Sequence, residues 1–297
     1  MMNKNYEEAV ATSVQTTAAP LLELADLRVS VYGSQGKSEV VHGVDFQLQP
    51  GKTIAIVGES GSGKSMTANA IMGILPEVAV AEGTIRYRGQ DILDIDDKDR
   101  EELSGPEIGY IFQEPMSALH PTMTIGEQMV RPIRKHLKLS KRQARDHASR
   151  LLDKVGIPPD RGVMKSYVHQ LSGGMRQRVM IAMSISCNPS ILIADEPTTA
   201  LDATIQKQIL EMLDDLRDEL QLAVILISHD LGLVSQYADD VVVMFEGNVM
   251  EKGPISQVIG NPESEYTKGL LAAAPKLGST KHRLPVIDKK KIKESLA

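Results

Sequence analysis

An α/β fold built on a largely parallel sheet is what this sequence predicts, and three stretches carry the prediction. Thr53-Ile54-Ala55-Ile56-Val57 is a β-branched apolar run, followed by the glycine-rich Gly58-Glu59-Ser60-Gly61-Ser62-Gly63-Lys64-Ser65 and then by the helix-like Met66 to Met72. Ile191-Leu192-Ile193-Ala194 is a second apolar strand, closed by Asp195 and Glu196. Ile205, Ile209, Leu213 and Leu216 then recur at helical spacing before a third apolar run, Ala223 to Ile227. Strands alternating with amphipathic helices imply parallel strands joined by helical crossovers.

The glycine-rich stretch fits G-x-x-x-x-G-K-[ST], and its strand–loop–helix setting is the context that this motif requires. Its glycines let the backbone curl round a phosphate and turn N–H groups inward, and the helix start adds the positive end of its dipole. Lys64 can reach β- and γ-phosphates, and Ser65 can place its hydroxyl on Mg²⁺. The plainer reading, a Gly/Ser turn before a helix, does not explain the full spacing. Gly58 to Met66 are therefore the nucleotide-binding candidates. Asp195 and Glu196, read as consecutive strand residues, point to opposite faces. Asp195 would hold Mg²⁺, and Glu196 would face the γ-phosphate as general base. A solvated strand end is the simpler account of two carboxylates, and it weakens beside a phosphate loop.

Composition narrows the rest. The chain of 297 residues is 42% hydrophobic, enough for a proper core and for one large domain with appendages. Its 33 basic and 39 acidic side chains leave a net charge of −6, which is no nucleic-acid footprint, and no Trp with 3% aromatics leaves few base-stacking platforms. A lone Cys187 excludes an intramolecular disulfide and an all-cysteine cluster; its apolar setting reads as a buried small residue. No stretch reads as a membrane span, and the first residues lack the basic-then-apolar pattern of a signal peptide.

Along the chain, residues 1–20 read as a flexible N-terminal tail. Leu21 to Val31 reads as an edge strand, Gly33 to Glu39 as a polar turn, and Val44 to Gln49 as a second strand. Gly83 to Tyr87 is a short strand, Asp91 to Glu102 a charged surface helix, and Ile108 to Phe112 a buried strand ending at Gln113. A helical region follows over about 114–175, with Ser140 capping a helix that stops at Gly156. Leu171 opens a helix through about Ser186, and Val241 to Phe245 with Asn248 to Glu251 form a hairpin about Glu246-Gly247. Residues 261–297 form a C-terminal extension ending in Lys289-Lys290-Lys291, read as a solvated charge run.

Leu171-Ser172-Gly173-Gly174, taken with the phosphate loop and Asp195-Glu196, resembles the signature of the ATP-binding subunit of an ABC transporter. The resemblance spans residues 21–278 and implies a P-loop NTPase ABC ATPase fold: a RecA-like core, an antiparallel β subdomain and a helical subdomain, together residues 21–260. It also implies roles. Tyr32 would stack on adenine; Gln113 would sense Mg²⁺ and the attacking water and touch the membrane subunit; His229 would be the switch histidine. Asp202, in Ala200-Leu201-Asp202, would link two sites across a dimer. Ser172, Gly173 and Gly174 would close the partner's ATP, since their helix start is a second anion cradle far along the chain from Lys64.

Ile111-Phe112-Gln113-Glu114-Pro115-Met116, Met175-Arg176-Gln177-Arg178-Val179-Met180 and, in the tail, Tyr266-Thr267-Lys268-Gly269-Leu270-Leu271 and Arg283 to Ile287 resemble the peptide/nickel importer subfamily. That implies import of di- or oligopeptides, nickel or a metal chelate. It also implies a second, paralogous ATPase subunit in a heterodimer, two membrane permease subunits, an extracytoplasmic solute-binding protein reached only indirectly, and a peripheral place at the cytoplasmic face of the membrane. His120 stands where an asparagine is common, and the cysteine cluster of some relatives is missing, which argues against an iron–sulfur centre. An exporter ATPase is the nearer rival. A soluble ABC protein acting on nucleic acid or ribosomes is the farther one, because neither a long coiled-coil insertion nor a second cassette is visible.

Overall fold

The computed structural model describes residues 19–34, 36–199 and 201–273. Most of the expected N-terminal tail, the Arg283–Ile287 stretch and the terminal lysine run lie outside the described residues, as does Ala200.

Two sheets organise the chain. β1 (Leu22–Gly33), β2 (Gly36–Leu48), β3 (Thr53–Val57), α1 (Lys64–Met72), β4 (Ala79–Tyr87) and β5 (Gln90–Asp91) come first. Then come α2 (Asp97–Leu103), β6 (Ile108–Ile111), α3 (Pro115–Ala118), α4 (Ile125–Leu137), α5 (Lys141–Lys154) and α6 (Gly173–Ser184). The chain continues through β7 (Ile191–Asp195), α7 (Ala203–Leu220), β8 (Ala223–Ser228), α8 (Leu231–Val234), β9 (Asp240–Phe245), β10 (Asn248–Pro254), α9 (Ile255–Gly260) and α10 (Glu265–Ala273). The first sheet is antiparallel in the order β2-β1-β4-β5; the second runs β10-β9-β3-β8-β7-β6, parallel from β9 to β6 with β10 antiparallel at its edge. The expected α/β architecture is therefore present, with a largely parallel sheet and an antiparallel one beside it.

The period of two in a strand explains why the parallel sheet is apolar on both faces. Ile54 and Ile56 of β3, Ile191 and Ile193 of β7, and Ile225 and Ile227 of β8 pack into one core with α1 and the antiparallel sheet. Their alternates Ala55, Val57, Leu192, Ala194, Val224 and Leu226 pack into a second core with α4, α5, α6 and α7. A strand coated on both sides by apolar neighbours has no freedom to slip by one residue. The strand ends, where the phosphate loop and Asp195 sit, are placed with corresponding rigidity.

Three sequence expectations are corrected here. β1 is not an edge strand: it pairs with β2 on one side and β4 on the other. Its broken alternation comes from a register shift about Asp26, whose backbone is left-handed at φ 47°. The charged segment 91–102 is only partly helical: Ile92 is buried, and α2 begins at Asp97, capped by the Asp96 carboxylate accepting from Asp99 N at 2.8 Å. The first turn is tighter than Gly33 to Glu39, because β2 already begins at Gly36. By contrast, Ser140 heads α5 in a reciprocal capping box with Gln143, and Gly156 takes φ 77° beyond its end.

Candidate nucleotide site

The loop from Gly58 to Gly63 joins β3 to α1 against the end of β9. A Cβ on Gly58 would lie 2.2 Å from the Met244 carbonyl oxygen, so only glycine lets the loop pass so close to β9. Gly63 takes φ 99° as the residue preceding α1 and offers the helix no side-chain cap. The contrast with the side-chain caps of α4, α5, α6 and α7 matters. The first N–H groups of α1 have no side-chain acceptor at the cap, which suits an anion. Ser62 Oγ is buried without a hydrogen-bond partner among the described residues.

Lys64 is buried at 5% exposure, and its ammonium donates to the carbonyls of Gly58 at 2.8 Å and Glu59 at 2.9 Å. It also lies 3.7 Å from Glu196 Oε1. Burial pushes its pKa below the usual lysine range, against the opposing pull of Glu196 and Asp195. Ser65 Oγ donates to Asp195 Oδ1 at 3.1 Å, and Tyr110 Oη lies 3.1 Å from Asp195 Oδ2 and 3.1 Å from Asn69 Oδ1. One phenolic proton serves one acceptor at a time, and the carboxylate is the stronger of the two. Burial pushes the Asp195 carboxyl above the usual range, and the Ser65 and Tyr110 hydroxyls pull the other way.

Glu196 is where the pieces converge. Its Oε2 accepts from Thr199 Oγ1 at 2.8 Å and from Gln113 Nε2 at 3.3 Å, and it lies 3.5 Å from His229 Nδ1. Asp195 and Glu196 do diverge, but not by the pleat of a strand. β7 ends at Asp195, and Glu196 turns out of it at φ 46°, held by its N–H donating to Ile227 O at 3.1 Å. A left-handed non-glycine residue is strained, and such strain clusters where side chains are aimed for function.

A groove of about 300 Å³ lies over these atoms, lined by Ser60, Gly61, Gly63, Lys64, Ser65 and Met66 together with Gln113 and Glu196. The other expected site residues stand elsewhere. Tyr32 does not line this groove; it is 48% exposed near the end of β1, its N–H donating to Val78 O at 2.7 Å. Ser172 caps α6, its Oγ accepting from Met175 N at 3.4 Å. Among the described residues, a Cβ on Gly173 would meet nothing within 4 Å, and one on Gly174 only Ile205 Cγ2 at 3.9 Å. Asp202 caps α7, accepting from Thr204 N and Ile205 N, each at 3.1 Å. Glu59 contributes its carbonyl to Lys64, while its N–H points to Tyr266 Oη at 3.3 Å.

Sequence reasoning missed Thr199, Tyr110, Asn69 and Tyr266. Thr199 was findable: its N–H donates to Glu196 O at 3.1 Å in a turn that brings the hydroxyl back on the carboxylate three residues earlier. The others are brought in from β6, α1 and α10; Tyr266 opens the tail stretch that resembles the importer subfamily, but nothing local to any of the three assigns its contact.

The oxygen donors fit a hard cation. Among the described residues no group of three His, Cys, Asp or Glu side chains could hold a metal, so a hydroxyl, a carboxylate and the nucleotide's own oxygens would have to do it. Mg²⁺ is commonly bound in that way.

The chain matches the ABC transporter family over residues 41–199. It is 46% identical over 262 residues to the oligopeptide transport ATP-binding protein OppD of Bacillus subtilis, covering 88% of this chain and 73% of that one. It is 46% identical over 270 residues to the dipeptide transport ATP-binding protein DppD of the same organism, covering 90% and 81%. Among solved structures, a dimeric ATP-binding cassette in a post-hydrolysis state with ADP and Pi superposes with a TM-score of 0.71 at 25% identity, covering 79% of this chain and 98% of that one.

Proposed function

Because this chain belongs to the ABC transporter family, we infer that it is the ATP-hydrolysing subunit that powers import of di- or oligopeptides through a membrane transporter. The observation that carries the peptide reading is the shared identity with the oligopeptide and dipeptide transport proteins across most of the chain. No helix among the described residues is long and apolar enough to cross a membrane. In this reading, permease partners supply the solute path. The subunit would sit peripherally on the cytoplasmic face, where ATP is.

In the site, Glu196 is the group placed to take a proton from water. It is an acceptor at the edge of the groove, oriented by Thr199, Gln113 and His229. The His229 side chain remains 61% exposed, so its ring can meet a γ-phosphate oxygen while Nδ1 faces Glu196. Lys64 would exchange its carbonyl partners for phosphate oxygens, drawn by charge. Ser65 and Asp195, with Gln113, would hold Mg²⁺, which when bound offsets the charge that develops on the phosphate oxygens.

The open space over Gly173 and Gly174 supports a head-to-tail dimer, since nothing among the described residues demands glycine there. A partner's nucleotide coming close to the α6 start would demand it. We read the assembly as two unlike ATPase subunits, two permeases and an extracytoplasmic binding protein. The closed dimer is favoured only while a γ-phosphate bridges the two chains. A nickel or metal-chelate importer remains the alternative within the same subfamily.

Two measurements test this reading. Lys64→Ala removes the cation in the cradle, and a charge-assisted contact is worth about 1.5–3 kcal/mol, or about 10- to 150-fold in ATP affinity. Nucleotide titration of wild type and variant should show that loss together with abolished turnover. Cells lacking the chain should take up labelled dipeptide when given the wild type and not when given Lys64→Ala. Uptake of nickel alone would replace the peptide reading.

A further inference from the structure

The C-terminal helix α10 begins beyond the segment that carries the family match, yet it reaches back to the phosphate loop. Its anchorage starts on β10, where the Glu251 carboxylate accepts from the N–H groups of Glu263 at 2.9 Å and Ser264 at 3.1 Å. Ser264 Oγ in turn accepts from Tyr266 N at 3.2 Å. Tyr266 is fully buried, its ring 4.7 Å from that of Phe245 at the end of β9. The strand residue before it, Met244, is the one whose carbonyl crowds Gly58. The Tyr266 hydroxyl accepts from Glu59 N at 3.3 Å. Burial pushes this phenol up to about 12, so it keeps its proton at any working pH. The backbone of Glu59 is thus held on both sides: its N–H by Tyr266, and its carbonyl by Lys64 Nζ at 2.9 Å and Ser62 N at 3.2 Å. α10 also packs on α8, the short helix that follows His229.

We propose that Tyr266 is a positioning residue for the phosphate loop: its hydroxyl fixes the Glu59 peptide, so that Lys64 and the turn to Ser62 are ordered before nucleotide arrives. This rests on the reading of that loop as the ATP site. An unanchored loop must be ordered at the moment of binding, and that ordering is subtracted from affinity. Because ground state and transition state would lose the anchor equally, the cost falls on KM and leaves kcat in place.

Tyr266→Phe keeps the ring against Phe245 and deletes only the hydroxyl. In the nucleotide-free full chain it should speed hydrogen exchange at Glu59 while leaving exchange across α10 unchanged. It should weaken ATP and ADP binding alike by about two- to tenfold, the value of one neutral hydrogen bond, and raise KM with kcat kept. Unchanged affinity with unchanged Glu59 exchange overturns the proposal. So does a loss of affinity accompanied by faster exchange throughout α10, which would make Tyr266 a packing residue. Failure of the wild type itself to bind nucleotide would instead sink the assignment of the site.

Discussion

Thr199 Oγ1 donates a 2.8 Å hydrogen bond to Glu196 Oε2, the same oxygen that faces Gln113 and His229. The other oxygen, Oε1, looks toward Lys64 at 3.7 Å. The carboxylate is thus divided, one oxygen held by the Thr199 hydroxyl and the Gln113 amide and the other turned to the buried cation. An amide in its place can satisfy the first side but not the second, because its NH₂ cannot accept.

Glu196→Gln should bind ATP and hydrolyse it slowly, since the shape survives and the base is lost. The expected drop in turnover is about 10²–10⁴-fold. ATP should then hold two subunits closed, and gel filtration with ATP should show a dimer. A variant that hydrolyses at the wild-type rate would take the role of base away from Glu196.

Asp195→Asn tests the cost of a buried charge. The folded-state pKa of Asp195 is raised by burial, so folding favours its protonated form. Its contribution to nucleotide-free stability is therefore present at low pH and lost as pH rises through the raised value. At neutral pH the variant should unfold at the same temperature as the wild type or higher, and the advantage should vanish on acidification. Mg²⁺ should no longer strengthen its nucleotide binding. Thermal scans across pH with and without Mg²⁺ read both effects, and a variant less stable than the wild type at pH 7 would show that burial does not govern this carboxylate.

Ser172→Arg asks whose nucleotide α6 serves. In a heterodimer, this change should leave ATP binding at this chain's own phosphate loop nearly intact, while the added cation blocks closure over the partner's nucleotide. Combined with Glu196→Gln in the same chain, which silences the site built on this chain's loop, it should remove the hydrolysis that the partner's site still supports. A residual rate unchanged by Ser172→Arg would exclude the head-to-tail arrangement.

Much of this molecule is written locally, and for that reason it can be read without coordinates. The phosphate loop declares itself because strand, glycines, lysine and helix are contiguous. The α5 cap at Ser140 and its stop at Gly156 are legible because a side chain three residues from a backbone N–H, or a left-handed turn, needs no distant partner. The unbroken apolar runs of β3, β7 and β8 announced strands, and two-sided burial explains why nearly every residue in them is apolar. Long-range pairing decided the rest. β1 looked like an edge because a bulge at Asp26 broke its period, and only its partners on both sides reveal a central strand. Glu196 looked like the next residue of a strand, but hydrogen bonding to Ile227 turns it left-handed and aims it at Lys64. Tyr266 gave no sign of its contact with Glu59. A buried aromatic on a helix obeys the same periodicity whatever it touches, and it takes the β9–β10 hairpin to carry α10 back to a loop far earlier in the chain.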